Sequence, residues 1–189
     1  MTRPAALAAR HFGRCLVLLV ALVAPGWAAV PEYDVKAALI YRISKFIQWP
    51  ESVFAGTGGT LRLCIIGHDD FGASIDSLAG RRVQGQTLSI ERMAGAEQYA
   101  GNCQLAFISR SERGRLPYVL GVLGRNPVLT VSDIDNFAAQ GGMIGFTTSD
   151  SKLAFQINPA ASRNAGLQIG AQLLQLATLV GEARAGSSP

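Results

Sequence analysis

The densest set of side chains able to do chemistry is the turn Gly67-His68-Asp69-Asp70-Phe71-Gly72. A glycine-flanked turn at a helix N-terminus can hold an anion, but two aspartates at that spot would repel one. The simpler expectation is that Asp69 or Asp70 caps the helix that follows. His68 is the only histidine beyond the first 28 residues. A zinc site takes three or four His, Cys or carboxylate ligands, and a Ser-His-Asp arrangement needs a nucleophile turn of the Gly-x-Ser-x-Gly type. The chain has no such turn, and no Gly-rich phosphate loop or Walker pattern. Arg110, Arg113 and Arg115, with Glu112 among them, read as the solvated face of a helix or as a patch for an acidic partner. Trp49, set before Pro50, reads as a lid on the core or as a ligand-stacking ring. No catalytic, cofactor or metal set emerges, so no enzyme and no cofactor are expected. The chemistry that remains is that of Cys64 and Cys103.

Residues 1–28 are expected to be a cleaved signal peptide and are set aside. Arg3, Arg10 and Arg14 supply the positive start, residues 15–24 an apolar run, and Gly26 and Ala28 the small residues around a cut. The run is too short to cross a bilayer. Cys15 sits early in it and not at the cleavage point, which argues against a lipoprotein. The expected destination is the Gram-negative periplasm. The three leader arginines account for three of the 17 Lys+Arg, leaving 14 against 13 Asp+Glu. A nearly neutral domain gives no case for nucleic-acid binding. Cleavage also removes Cys15. The two remaining cysteines, in an oxidising compartment, most simply make one disulfide; two separate buried thiols are the alternative. A bridge between positions 39 apart would contribute about 4 kcal/mol by loop entropy.

The elements that must position these residues follow from periodicity. Residues 33–49 read as a helix with Val35, Leu39, Ile43, Phe46 and Ile47 on its apolar stripe and Lys36, Arg42 and Lys45 off it; Pro50 ends it. Strands are expected over 60–66, 87–93, 103–109 and 127–131, with 103–109 central because it is the most continuously apolar. A short helix over 71–78 and another over 111–123 separate them. Strands alternating with helices of this length imply a mostly parallel α/β sheet with helices on both faces. Residues 143–148 and 153–157 close it as an antiparallel hairpin at an edge, turning at Ser149-Asp150-Ser151. Asn158-Pro159 has the pattern of a helix start, and a single long helix is expected from there to Val180, stopped by Gly181. The organisation is one domain over 33–180 and a frayed tail over 181–189.

Four ordered stretches give the chain a resemblance to the YfiR family of periplasmic regulators: KAALIYRISKFIQWP (36–50), LRLCIIGHDDFG (61–72), CQLAFISRSE (103–112), and GGMIGF with FQINPAASRNAGLQIGAQLLQLA towards the end. The resemblance covers residues 33–180. It implies an α/β sandwich, often a homodimer. It also implies a role as a repressor that binds the periplasmic part of an inner-membrane diguanylate cyclase, lowering cyclic-di-GMP and biofilm formation. An outer-membrane lipoprotein can sequester such a repressor. Cys64 and Cys103 match one disulfide position of the family; the second pair carried by its best-known members is missing, since residues 137–148 contain no cysteine. Partner-contact positions on this reading are Phe146 and Phe155 on the hairpin, and Asn158 and Arg163 at the start of the last helix. The alternative is a periplasmic small-ligand module of a transport or sensing system, using the crevice at the carboxyl ends of the strands.

Overall fold

The computed structural model describes residues 31–149 and 152–181. The expected signal peptide, the tail beyond Gly181 and the turn residues Asp150 and Ser151 lie outside the described residues. In chain order the elements are α1 (Glu32–Ser44), β1 (Ile47–Gln48), β2 (Thr60–Ile66), α2 (Ala73–Asp76), β3 (Arg82–Val83), β4 (Gln86–Met93), β5 (Leu105–Ile108), α3 (Leu116–Leu123), β6 (Leu129–Ser132), β7 (Ile144–Ser149), β8 (Lys152–Ile157), α4 (Pro159–Asn164), β9 (Gln168–Ile169), α5 (Ala171–Gln175) and β10 (Thr178–Leu179). The sequence over Arg110–Arg115 forms a 3₁₀ turn leading into α3.

Eight strands form one sheet in the order β10-β8-β7-β6-β5-β2-β4-β3. From β4 through β2, β5 and β6 to β7 the neighbours run parallel. The hairpin β7–β8 is antiparallel, with Phe146 opposite Phe155. Strand β5 is interior, as its apolar run predicts. The hairpin stands one strand in from the edge, because β10 pairs with β8 at Gln156 and Ile157.

Alternation along β2 shows why its run is continuously apolar. Leu61, Leu63 and Ile65 join a core with Ala37, Ile40 and Ile43 of α1 and Ile75 of α2. Cys64 and Ile66 point the other way, into a second core with Leu116, Val119 and Leu123 of α3. A strand buried on both faces has no polar side to show. The Cys64–Cys103 disulfide lies in the second core and ties β2 to the lead-in of β5.

Two expectations are overturned. The face that α1 buries carries Lys36, Ala37, Ile40, Ile43 and Ser44, so Val35 and Phe46 are left exposed and Lys36 goes inside. The long C-terminal helix is also absent. After α4 the chain turns through Gly166 at φ +75°, where Gly166 N–H donates to the Arg163 carbonyl and Leu167 N–H to the Ser162 carbonyl. That pair of bonds is a Schellman termination, and glycine supplies its left-handed residue without a Cβ penalty. Leu167 then plunges into the core, and β9 pairs antiparallel with β1 through Ile47–Ile169 and Gln48–Gln168. Apolar residues at near-helical spacing thus belong to two short segments. Leu167 and Leu173 are buried, whereas Leu176 on the same supposed stripe is 76% exposed.

Candidate functional site

Parallel strands end together, so the turns after β2, β5 and β6 gather at one rim of the sheet. The chain leaves β2 for β4 on one side and β5 for β6 on the other, which makes this rim a topological switch point, the place where open α/β sheets hold ligands. The residues brought there are the 67–72 turn, Ser109–Arg110 and Asp133, with α1 laid across them.

At the centre is a buried ion pair. Lys36 is 1% exposed, and its Nζ lies 2.5 Å from Asp133 Oδ2, whose side chain is 2% exposed. Glu32, one helical turn earlier, meets the same ammonium at 2.6 Å from the solvent side. Tyr33 donates its hydroxyl to Asp133 at 3.0 Å and to Asp70 at 3.2 Å, and Lys36 stands 4.2 Å from the Tyr33 ring centroid. Arg110 Nε donates to the Asp133 main-chain carbonyl at 3.1 Å and lies 3.4 Å from its carboxylate. Asp133 Oδ1 has no hydrogen-bond partner among the described residues; the cations Lys36 and Arg110 offset its charge. Burial, then the Asp133 carboxylate, push the Tyr33 hydroxyl well above the ordinary tyrosine range, so the phenol stays a donor. An edge-to-face chain from Tyr33 through Phe71 to Phe107, with centroids 5.0 and 4.7 Å apart, anchors this rim to the sheet.

The turn itself is built for shape. Gly67 has φ +93°, and a Cβ there would come within 2.4 Å of Ser111 Oγ, which accepts the His68 amide at 2.9 Å. Asp69 Oδ1 accepts the Phe71 amide at 2.8 Å, and its Oδ2 meets Arg92 Nε at 2.6 Å. Asp69 therefore ties the turn, while Gly72 is the residue that precedes α2 and makes no side-chain cap. His68 is exposed and lies 3.6 Å from Asp70; no hydroxyl is bonded to its ring among the described residues, and no three His, Cys, Asp or Glu side chains there converge with metal-holding geometry. The arginines after β5 are each engaged by a carboxylate: Arg113 by Asp135, and Arg115 by Glu112 and Glu97. Trp49 donates to the Gln104 carbonyl at 3.0 Å and is nearly buried, a lid on the core. Such an arrangement can lock helix α1 to β6 electrostatically; it holds no paired nucleophile and base.

Phe146 faces this network. It is buried, and with Lys36, Arg110, Asp133, Thr148 and Leu153 it lines an open cavity of about 320 Å³. Phe155, its cross-strand partner, is half-buried on the same face. Asn158 lies apart from them. It is nearly buried, caps α4 by accepting the Ala161 amide at 3.0 Å, and donates to the Ala138 carbonyl at 2.9 Å. Arg163 is exposed on α4. The structure thus joins Phe146 and Phe155 and leaves Asn158 and Arg163 as a separate pair. Sequence reasoning missed Lys36 and Asp133, since a lysine among apolar helix residues carries no mark of burial until its acid is known. It also missed the exposed apolar end of the sheet, where Leu179 of edge strand β10 and the nearby Leu176 face solvent.

A family model described as YfiR/HmsC-like matches residues 33–178. Among solved structures, the chain is similar to a conserved domain protein from Vibrio cholerae O1 biovar El Tor str. N16961. The identity is 9% and the TM-score 0.54, over 79% of this chain and 60% of that one; at this identity the likeness is one of fold. A structure of the ABC domain in complex with L-Trp from Streptococcus pneumonia matches at 10% identity and TM-score 0.49, over 75% of this chain and 60% of that one, too distantly to bear on function. The chain spans about 60% of the length of both structures.

Proposed function

Because the chain belongs to the YfiR/HmsC-like family, we propose that it is a periplasmic regulator that binds the periplasmic part of an inner-membrane diguanylate cyclase and holds cyclic-di-GMP synthesis down. The family match over residues 33–178 carries this reading. Three features support it. The charged groups at the strand ends pair with one another, Lys36 and Arg110 on Asp133 and Arg92 on Asp69, as a binding protein's scaffold requires. No helix among the described residues is long and apolar enough to cross a membrane. Apolar side chains stand exposed at one sheet edge, Leu176 and Leu179 above all.

That edge is the proposed contact surface. Strand β10 covers β8 only at Gln156 and Ile157, so the stretch of β8 carrying Phe155 has no strand outside it among the described residues. Phe155 and Arg163 touch the partner in this proposal, while Phe146 and Asn158, both buried, hold the surface in shape. A homodimer, and sequestration by an outer-membrane lipoprotein, belong to the same proposal. Titration of the purified protein with the purified periplasmic domain of a cyclase from the same genome tests it. Saturable binding is expected, weakened roughly tenfold or more by Phe155→Lys, the range of an interfacial aromatic anchor. Absence of binding, or binding indifferent to Phe155→Lys and Leu176→Lys alike, counts against this surface.

A further inference from the structure

The sheet edge is not the only surface built for contact. Helices α1 and α2 leave between them an open groove of about 700 Å³, floored by the small residues Ala38, Ala73 and Ser77 and closed at one end by Arg42, Lys45 and Arg81. Around Tyr41, Lys45 Nζ lies 4.2 Å from the ring centroid and the Arg81 guanidinium 5.3 Å. The Tyr41 hydroxyl donates to the Arg82 carbonyl, which fixes the ring within reach of both cations. None of the ion pairs among the described residues includes Arg42, Lys45 or Arg81. In the arginine-rich turn after β5, by contrast, every guanidinium meets a carboxylate. Three cations held together without a counter-charge are maintained against their own repulsion. A groove with small-residue walls admits a chain closely.

We propose that this groove binds an acidic segment of a protein partner, its carboxylates seated on Arg42, Lys45 and Arg81. The far end of the groove decides between occupants. Asp34 stands there, bonded to the Ser74 hydroxyl, and a uniformly anionic bilayer or polyanion would be repelled by it. A polypeptide can place a donor at that pole and acids at the other. Asp34 and Lys45 are eleven residues apart on and just beyond α1, which sets the poles about 16 Å apart along the axis. That span is too long for a single phosphate or carboxylate and suits roughly five residues of extended chain. Concavity points the same way, since a membrane surface meets a convex or flat patch. The assignment stands independently of the cyclase reading, because it names a chemistry of partner and a different face.

Panning a random heptapeptide phage library against the immobilised protein tests it, followed by anisotropy titration of the leading labelled peptide. Selected sequences are expected to concentrate Asp and Glu at one end. Their affinity should fall roughly tenfold or more in the double variant Arg42→Glu/Arg81→Glu, and similarly in Ala38→Trp, which fills the groove without changing its charge. Arg113→Glu, a charge change elsewhere, should leave it unaltered. Selection without acidic enrichment would overturn the proposal, as would equal weakening by Arg113→Glu. Phosphatidylglycerol vesicles form the second arm: vesicle binding abolished by Arg42→Glu/Arg81→Glu, with no acidic peptide selected, would also overturn it and assign the cations to a lipid surface.

Discussion

Replacing both bridged cysteines, Cys64→Ala/Cys103→Ala, is expected to lower the unfolding free energy by about 4 kcal/mol. The bridge closes a loop of 39 residues, and the unfolded chain without it regains the corresponding freedom. That loop holds the end of β2, α2, β3 and β4, and the bridge ties β2 to the lead-in of β5. Alanine is the fitting replacement: both sulfurs lie in the core beneath α3, and serine would add the cost of an unpaired buried hydroxyl. Urea unfolding of the oxidised protein, the reduced protein and the double variant measures the effect. The reduced protein and the double variant should fall close together and well below the oxidised one. A loss under about 1 kcal/mol in both would show that the bridge is incidental to stability.

The second large effect belongs to the buried pair beneath α1. Lys36→Met keeps the side chain's length and apolar stem but leaves the Asp133 carboxylate, 2% exposed, with Arg110 at 3.4 Å as its one remaining cation and the Tyr33 hydroxyl as a neutral donor. Breaking one partner of a buried pair costs about 3–5 kcal/mol, chiefly because the other charge is stranded. The double variant Lys36→Met/Asp133→Leu removes both charges and should recover much of that loss. Glu32→Gln, which touches the same ammonium from an exposed position, should change stability by less than about 1 kcal/mol. Denaturant melts of the parent, Lys36→Met, Asp133→Leu and the double variant separate these terms as a double-mutant cycle, with Glu32→Gln melted alongside as the exposed control. A Lys36→Met protein as stable as the parent would remove the account of α1 as electrostatically locked to β6.

The mainly parallel core of the fold was legible because strands buried on both faces announce themselves. Runs such as LCII in β2 and LAFI in β5 have no polar alternation to mislead, and the helices between them fix their direction. The disulfide followed from having two cysteines left once the expected signal peptide is set aside. The C-terminal segment was misread for a physical reason: Leu167, Leu173, Leu174 and Ala177 recur at intervals a helix would give, and periodicity does not see a break inside a pattern. The signal was present in Asn164-Ala165-Gly166-Leu167, a glycine followed by an apolar residue, which is the signature of a Schellman ending. Pairing β9 with β1 needs residues more than a hundred positions apart, and no local pattern encodes it. The same limit hid Lys36, whose burial depends on Asp133 just after β6, and the basic groove, whose cations come from the end of α1, the residue after it and the turn before β3.

The exported, non-enzymatic, repressing role proposed for this member of the YfiR/HmsC-like family is tested most directly by cellular cyclic-di-GMP. It should be measured in a strain lacking the gene, with and without a plasmid copy, in conditions where the gene is expressed. The account predicts a rise on deletion, reversed by the plasmid copy and not by one carrying Phe155→Lys. An unchanged cyclic-di-GMP level in the deletion strain would contradict it.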